Sequence, residues 1–101
     1  MEFEIFWAES AEMQLKETLS YWVNRNKSDN YPRKLLEAVK KANIAISKNP
    51  FIAQERVIKG VSYRSYLVVK QYSLIYVVED KSVNIVMFWN NAKDLLSLIH
   101  I

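Results

Sequence analysis

The 101 residues are half hydrophobic, a quarter charged and 13% aromatic, with one glycine and two prolines. This composition excludes a disordered or low-complexity chain, because it offers ample apolar surface for burial, and the length predicts one domain over residues 1–101. The absence of cysteine excludes disulfides, thiolate metal sites and cysteine nucleophiles, and a formal charge of +3 is far short of a nucleic-acid-binding tail.

The charges are unevenly distributed along the chain. Five of the eleven acids lie in the first seventeen residues, whereas eleven of the fourteen bases lie between Arg25 and Lys70. The middle of the chain is therefore its basic part. The first residues carry acids where a signal peptide carries bases, and no apolar run reaches membrane-spanning length. We therefore expect a cytoplasmic protein with no membrane partner.

The first elements in chain order are a strand and a helix. Residues 1–7 alternate between apolar and polar as a strand does, and helical spacing then takes over. We expect one amphipathic helix that has Ser10 as its candidate N-cap and ends near Asn26. Its apolar stripe is formed by Ala11, Leu15, Leu19 and Trp22.

A polar stretch over residues 24–30 predicts a turn and then a second helix. Pro32 is tolerated only in a first helical turn, so this helix should start near Asp29 or Asn30. It should stop at Asn49-Pro50, because residues before proline avoid the α region. The predicted core stripe consists of Leu35, Val39, Ala42 and Ile46, widened by Leu36.

The second half of the chain is predicted to be β-structure. Segments 55–59, 63–70, 72–79 and 83–89 are rich in Val, Ile and aromatic residues and are separated by short polar turns. They predict a three- to four-stranded antiparallel meander. Residues 90–99 offer an Asn cap and an apolar run, which predicts a short C-terminal helix. The fold class is α+β, with the helices packed on one sheet face and the other face open.

One predicted strand carries a candidate binding surface. Period-two alternation puts Arg64, Tyr66 and Lys70 on one side, opposite Tyr63, Leu67 and Val69. We expect the first three on the open face, where they would contact a partner, and we expect replacement of Arg64 to spare stability. The alternative interpretation is that they are ordinary solvated strand residues.

Self-contained catalytic or cofactor motifs are missing from the sequence. His100 is the only histidine and has no Ser, Asp or Cys partner motif, so a catalytic triad cannot be argued. Clustered metal ligands and a phosphate-binding glycine loop are also absent, since Gly60 is the sole glycine. We expect neither a metal nor a cofactor.

Two sets of residues together carry a resemblance to a known family. In the helical half they are residues 21–26 (Tyr-Trp-Val-Asn-Arg-Asn), Ser28, Tyr31, Lys34-Leu35, Ile46 and Asn49-Pro50. In the strand half they are Arg64, residues 72–76 and residues 83–91. Through these residues the chain resembles RelE/ParE-type toxins of bacterial type II toxin–antitoxin systems over almost its whole length. The order of elements, the length and the basic character agree with this resemblance.

The resemblance implies a growth-inhibiting toxin that a cognate antitoxin protein wraps and neutralises. One branch of the family inhibits DNA gyrase, and the other cuts mRNA on ribosomes with arginines, one before Leu-Ile-Tyr and one after the last strand. Ser73 and Ala92 occupy those two places here. Arg64 remains where the family carries a base, so the resemblance implies Arg64 as the catalytic residue if the chain is a nuclease. Lys70 and Lys93 could partly substitute for the two missing arginines. The resemblance therefore favours ParE-like gyrase inhibition over RelE-like mRNA cleavage, and it leaves open an inactive homologue that only binds antitoxin.

The aromatic residues of the predicted strands allow one further interpretation. Rings beside bases on a sheet can stack on RNA bases. However, RNA-recognition sheets of that kind have a β-α-β-β-α-β order and glycine-flanked aromatic motifs, and the sequence has neither. We expect most of these rings to lie in the core or to face the antitoxin.

Overall fold

The computed structural model describes residues 2–27 and 30–93. Two helices precede a run of strands, as the sequence predicts. The elements are β1 (Glu4–Trp7), α1 (Glu9–Asn26), α2 (Asn30–Lys48), β2 (Gln54–Ile58), β3 (Val61–Val69), β4 (Tyr72–Val78) and β5 (Ser82–Asn90).

The helix boundaries follow local chemistry with one exception. Helix α2 begins at Asn30 and ends at Lys48, just before Asn49-Pro50, as predicted. The prediction of Ser10 as the N-cap of α1 is wrong, because the cap position is Ala8 and makes no side-chain hydrogen bond. Strand β1 runs almost directly into α1, and the Ala8 N–H donates to the carbonyl of Ile85 at 2.8 Å. The connection to the sheet therefore sets the helix start.

The five strands form one sheet in the order β1-β5-β4-β3-β2. Strands β2 to β5 pair antiparallel, which confirms the predicted meander with four strands. Strand β1 pairs parallel with β5, an arrangement that the sequence analysis did not predict. The β2–β3 hairpin turns through Lys59 and Gly60, whose φ angles of 50° and 81° are those that two-residue hairpin turns require.

The predicted C-terminal helix is not seen in the described part of the chain. Residues 91–93 form a turn after β5, and the rest of the predicted helix lies outside the described residues. The turn is closed by the Lys93 N–H, which donates to the carbonyl of Asn90 at 3.0 Å.

The core lies between the two helices and one face of the sheet. Leu35, Val39, Ala42 and Ile46 of α2 are buried as predicted, and they pack with Ala11 of α1 on the inward residues of β4 and β5. Those inward residues are Tyr72, Leu74, Tyr76, Val83, Ile85 and Phe88. The prediction that Leu36 widens this stripe is wrong, because Leu36 is 37% exposed. No helix within the described ranges is both long and apolar enough to cross a membrane.

Candidate functional site

Asn91 organises the end of the sheet where β3 turns into β4 and β5 finishes. Its backbone N–H donates to the carbonyl of Gln71 at 2.8 Å, and its side-chain amide donates to the carbonyl of Lys70 at 3.1 Å. The Ser73 hydroxyl donates to Asn91 Oδ1 at 2.9 Å. The structure thus brings Lys70, Ser73, Ala92 and Lys93 to one end of the molecule, called here the sheet-end site.

The sheet-end site borders an open cleft of about 510 Å³ between α1 and the last residues of β5. Its walls are mainly polar or aromatic, so both hydrogen bonds and ring contacts are available to a bound group. The cleft is lined by Gln14, Thr18 and Tyr21 of α1 and by Gln71, Trp89 and Lys93 of the sheet end, among others.

Aromatic residues connect α1 and α2 to this end of the sheet through hydrogen bonds and ring contacts. The Trp22 indole N–H donates to the Tyr72 hydroxyl at 3.0 Å, and the Tyr72 ring stacks on Phe88 with centroids 5.0 Å apart. Trp22 also makes an edge contact with Tyr31, whose hydroxyl donates to Gln71 at 3.1 Å. Burial, together with the nearby Tyr72, raises the pKa of Tyr31 above its ordinary value of 10.0. The Tyr31 phenol is therefore neutral at physiological pH, and its hydroxyl acts as a hydrogen-bond donor.

Neutral side chains occupy the centre of the sheet-end site. Ser73 is 4% exposed, and its hydroxyl proton is engaged by Asn91. The Ala92 N–H donates to Asn90 Oδ1 at 2.9 Å, and the Ala92 side chain has no polar atom. Neutral groups therefore occupy the two positions at which the resemblance implies arginines. In the described ranges, moreover, no three His, Asp or Glu side chains are placed to hold a metal ion.

The predicted exposure of Arg64 on the open face is wrong. Arg64 pairs across the sheet with Tyr76, whose ring is in the core, and side chains of directly opposed residues share a face. Its guanidinium donates to the carbonyl of Ala53 at 2.7 Å and lies 5.2 Å from the Phe51 ring centroid. Its side chain is 18% exposed and reaches Glu55 at 3.7 Å. Arg64 therefore faces the helix side and holds the segment that follows α2.

Tyr66 does share a face with Arg64, since their cross-strand partners Leu74 and Tyr76 both lie in the core, but this is the face that the helices cover. The predicted grouping of Lys70 with them is wrong, because Lys70 is exposed at the β3–β4 turn. The register of β3 shifts between Leu67 and Val69, which interrupts the two-residue alternation before Lys70. Arg64 is three residues from the Leu67–Ser73 pair, about 10 Å along the strand, and it lies on the opposite face from Ser73. The structure therefore separates Arg64 from Lys70 and does not form the predicted surface of Arg64, Tyr66 and Lys70.

The open face of the sheet carries apolar side chains, among them Leu67, which the sequence analysis placed on the covered face. Leu67 is 62% exposed on this face, and it lies beside Ser73 in the pairing of β3 with β4. Ile75 and its cross-strand partner Met87 belong to the same face, and Ile75 is only 1% exposed. Because both faces of β3 carry apolar side chains, apolar character alone does not identify the buried face.

Asn91 is the site residue that the sequence analysis missed. Its three hydrogen bonds join two turns that are about twenty positions apart in the chain. The available signal was the Asn90-Asn91 pair after a strand, since asparagine side chains bond to nearby backbone in turns. That signal predicts a turn, but it cannot predict a link to Ser73.

Comparison with known proteins relates the fold to solved structures. No protein-family model matches the chain, and no curated protein matches it by sequence. A chain of the chromosomal ParDE TA system from P. aeruginosa is similar with a TM-score of 0.70 and 13% identity, over 88% of this chain and 96% of that chain.

Two further solved structures are similar to the chain. The YoeB dimer from Staphylococcus aureus has a TM-score of 0.58 and 17% identity, over 87% of this chain and 95% of that chain. The E. coli DinJ-YafQ toxin-antitoxin complex has a TM-score of 0.58 and 15% identity, over 91% and 96%. The chain therefore has the fold of RelE/ParE-type toxins.

Proposed function

We propose that this chain is the toxin component of a type II toxin–antitoxin system, that it inhibits DNA gyrase in the manner of ParE, and that a cognate antitoxin neutralises it. The fold supports the first part, since the similar structures include a ParDE TA system and a toxin-antitoxin complex. Fold alone does not select a target, so the second part depends on the sheet-end site.

The observation that carries the choice of target is the hydrogen bond from Ser73 to Asn91, because it leaves no cationic side chain at the Ser73 position. Metal-free RNA cleavage needs cationic donors directed at the charge that develops on the phosphorane, and one missing donor can cost about 2–4 kcal/mol of barrier. Here the Ser73 hydroxyl is engaged at 2.9 Å by Asn91, and Ala92 offers no side-chain donor. A protein that acts by binding to gyrase has no such requirement.

A RelE-like ribosome-dependent mRNA endonuclease is the second candidate. It is favoured by the position of Lys70 and Lys93 at the edge of the cleft. The Lys70 carbonyl accepts a hydrogen bond from the Asn91 side chain, and the Lys93 N–H donates to the carbonyl of Asn90. Lysine is a weak replacement, because its point charge lacks the planar fork with which arginine binds phosphate. The third candidate is an inactive homologue that only binds antitoxin, which the loss of both arginines would produce.

The proposed antitoxin contacts follow from the surfaces that the fold leaves exposed. The open face offers Leu67, and the hairpin offers Met13 and Tyr21, which are 53% and 52% exposed. A disordered antitoxin segment can bury such surfaces as it folds on them. Lys70 and Lys93 are the contact candidates for target or antitoxin, while Arg64 and Tyr66 are used within the fold. We expect sequence-specific recognition of operator DNA only through the antitoxin complex.

Two measurements test the proposal. Co-expression with the product of the adjacent gene should yield a tight, co-purifying complex, whereas a chain that never associates with that product would contradict the antitoxin assignment. The purified chain should inhibit DNA supercoiling by gyrase, and adding the antitoxin should restore supercoiling. A complex that forms while the free chain leaves both gyrase and translation unaffected would identify the inactive homologue.

A further inference from the structure

The outward face of α2 is strongly basic. Five bases on this helix are exposed, and they lie opposite the stripe that packs in the core. We call this surface the α2 basic stripe. Its bases are Arg33, Lys34, Lys40, Lys41 and Lys48.

The stripe concentrates the charge of the whole molecule. Helix α2 carries these five bases and one acid, Glu37, so its net charge of +4 exceeds the +3 of the entire chain, and the remainder is net −1. Glu2 of the N-terminal segment lies beside Ile44 at the border of the stripe. The carboxylate of Glu37 forms no ion pair with Lys34, Lys40, Lys41 or Lys48 in the described ranges. The lysine charges therefore remain available to an external anion.

The bases are arranged in rows along the helix. Lys34, Lys41 and Lys48 follow one another at intervals of seven residues, which is nearly two full turns, so they stand about 10.5 Å apart in one line. Arg33 and Lys40 form a second row beside it with the same interval.

We propose that the α2 basic stripe binds the phosphate backbone of a nucleic acid without reading its sequence. The chemistry of the surface favours this ligand over an acidic protein. Protein interfaces are anchored by buried aromatic or arginine residues and are depleted in lysine, whereas the stripe has four lysines and one large apolar residue, Ile44. A row of flexible, strongly hydrated ammonium groups is suited to a regular polyanion.

This inference goes beyond the proposed function, since it needs neither antitoxin nor gyrase. The stripe lies on the side of α2 that is opposite its buried residues. A nucleic-acid contact there would hold the molecule against a target that contains DNA or RNA. Because such contacts displace condensed counterions, the affinity must fall as salt rises, with a slope of about 0.9 for each phosphate contacted.

The test uses the full chain and a short labelled duplex DNA of mixed sequence, with binding followed by fluorescence anisotropy at several salt concentrations. The variant K34Q/K41Q removes two charges from the stripe, and the matched control K16Q/K81Q removes two exposed charges elsewhere. Each lowers the formal charge from +3 to +1, so they differ only in where the charge is lost.

We expect the control to bind like the wild type and K34Q/K41Q to bind more weakly on every sequence, with a salt slope shallower by about 2. Equal losses in the two variants would overturn the inference, since general charge alone would then explain binding. It would also be overturned if no binding appears at low salt, or if polyglutamate displaces the duplex at a lower charge concentration than unlabelled DNA does. The last result would assign the stripe to an acidic protein.

Discussion

Arg64 connects β3 to the segment that joins α2 to β2. Its guanidinium donates to the carbonyls of Ala53 and Phe51, at 2.7 and 3.4 Å, and also lies over the Phe51 ring. By donating to two backbone carbonyls, the Arg64 side chain fixes the position of the segment between α2 and β2. The ion pair with Glu55 adds little, because that carboxylate is half exposed and screened by solvent.

We predict that Arg64→Ala lowers the free energy of unfolding by about 2 kcal/mol, the usual cost of losing hydrogen bonds that involve a charged group. Arg56→Ala is the control, since Arg56 is exposed on the neighbouring strand and should cost less than about 0.5 kcal/mol. Urea denaturation measures both values. Equal stability of the two variants would restore the original expectation that Arg64 contributes little to folding.

Tyr76 provides a second residue-scale prediction, one that depends on pH. The buried hydroxyl donates to the Pro50 carbonyl at 2.6 Å, and burial raises the pKa of Tyr76 above its ordinary 10.0, partly offset by Arg64. The unfolded tyrosine ionises first as pH rises, so the neutral phenol contributes its full stability below pH 10 and loses it progressively above that value.

We therefore expect Tyr76→Phe to be less stable than the wild type by about 1 kcal/mol at neutral pH, because the hydrogen bond to Pro50 is lost. The difference should narrow as pH rises above 10.0, since only the wild type has the phenol that ionises on unfolding. Denaturation curves at neutral and alkaline pH measure it. A difference that stays constant across this range would show that Tyr76 ionises alike in both states.

At the scale of elements, α1 contacts β5 close to an irregularity in the sheet. Met87 pairs with Ile75, but the next residue of β4, Tyr76, pairs with Ile85, so Val86 is an extra residue in β5. Such a bulge leaves ladder groups unpaired and redirects the strand. Close to this point the Phe88 N–H donates to the side-chain oxygen of Gln14 on α1 at 2.9 Å.

We predict that Gln14→Ala lowers the free energy of unfolding by about 1–3 kcal/mol, because the partly buried Phe88 N–H loses its acceptor. Gln14→Glu keeps an acceptor oxygen at the same place and should recover most of the loss. Gln54→Ala on the exposed strand β2 serves as the control. Hydrogen exchange at Phe88 gives a local readout. If its protection is unchanged in Gln14→Ala, then the bond across to α1 is not what stabilises this turn of the strand.

The elements that local chemistry specifies were the ones that could be predicted. Asn49-Pro50 ends α2 because proline cannot continue it, and the four segments of the meander are marked by β-branched and aromatic residues. The start of α1 could not be predicted from Ser10, since it depends on the parallel pairing of β1 with β5, more than seventy residues away. Local sequence carries no signal for such a pairing.

At the scale of the whole molecule, the two faces of the sheet explain why the candidate site was only partly predicted. Alternation along β3 separates two sets of residues, but both sets contain large apolar side chains, so the pattern alone does not say which face the helices cover. Arg64 was assigned outward because it is charged, yet the segment after α2 supplies carbonyls for it. Ser73 and Ala92 were placed through the family resemblance, and the structure adds Asn91 as their neighbour.

The assembled molecule leads to a prediction about mechanism. The sheet-end site combines a hydrogen-bonded Ser73, a side chain without donors at Ala92 and the separate lysines Lys70 and Lys93. With each missing guanidinium costing about 2–4 kcal/mol of barrier, a dianionic phosphorane would be left largely unstabilised. We therefore expect the purified chain not to cut ribosome-bound mRNA at a rate comparable to the ribonuclease branch.

Primer extension on programmed ribosomes measures this prediction, and an active ribonuclease of the same fold is the positive control. We expect no codon-positioned cleavage at concentrations of the chain that inhibit gyrase. The contrary result would be cleavage that is lost in Lys70→Ala or Lys93→Ala and retained when the gyrase is resistant. In that case the lysines at the edge of the cleft would act as the cationic donors, and the RelE-like candidate would be the correct one.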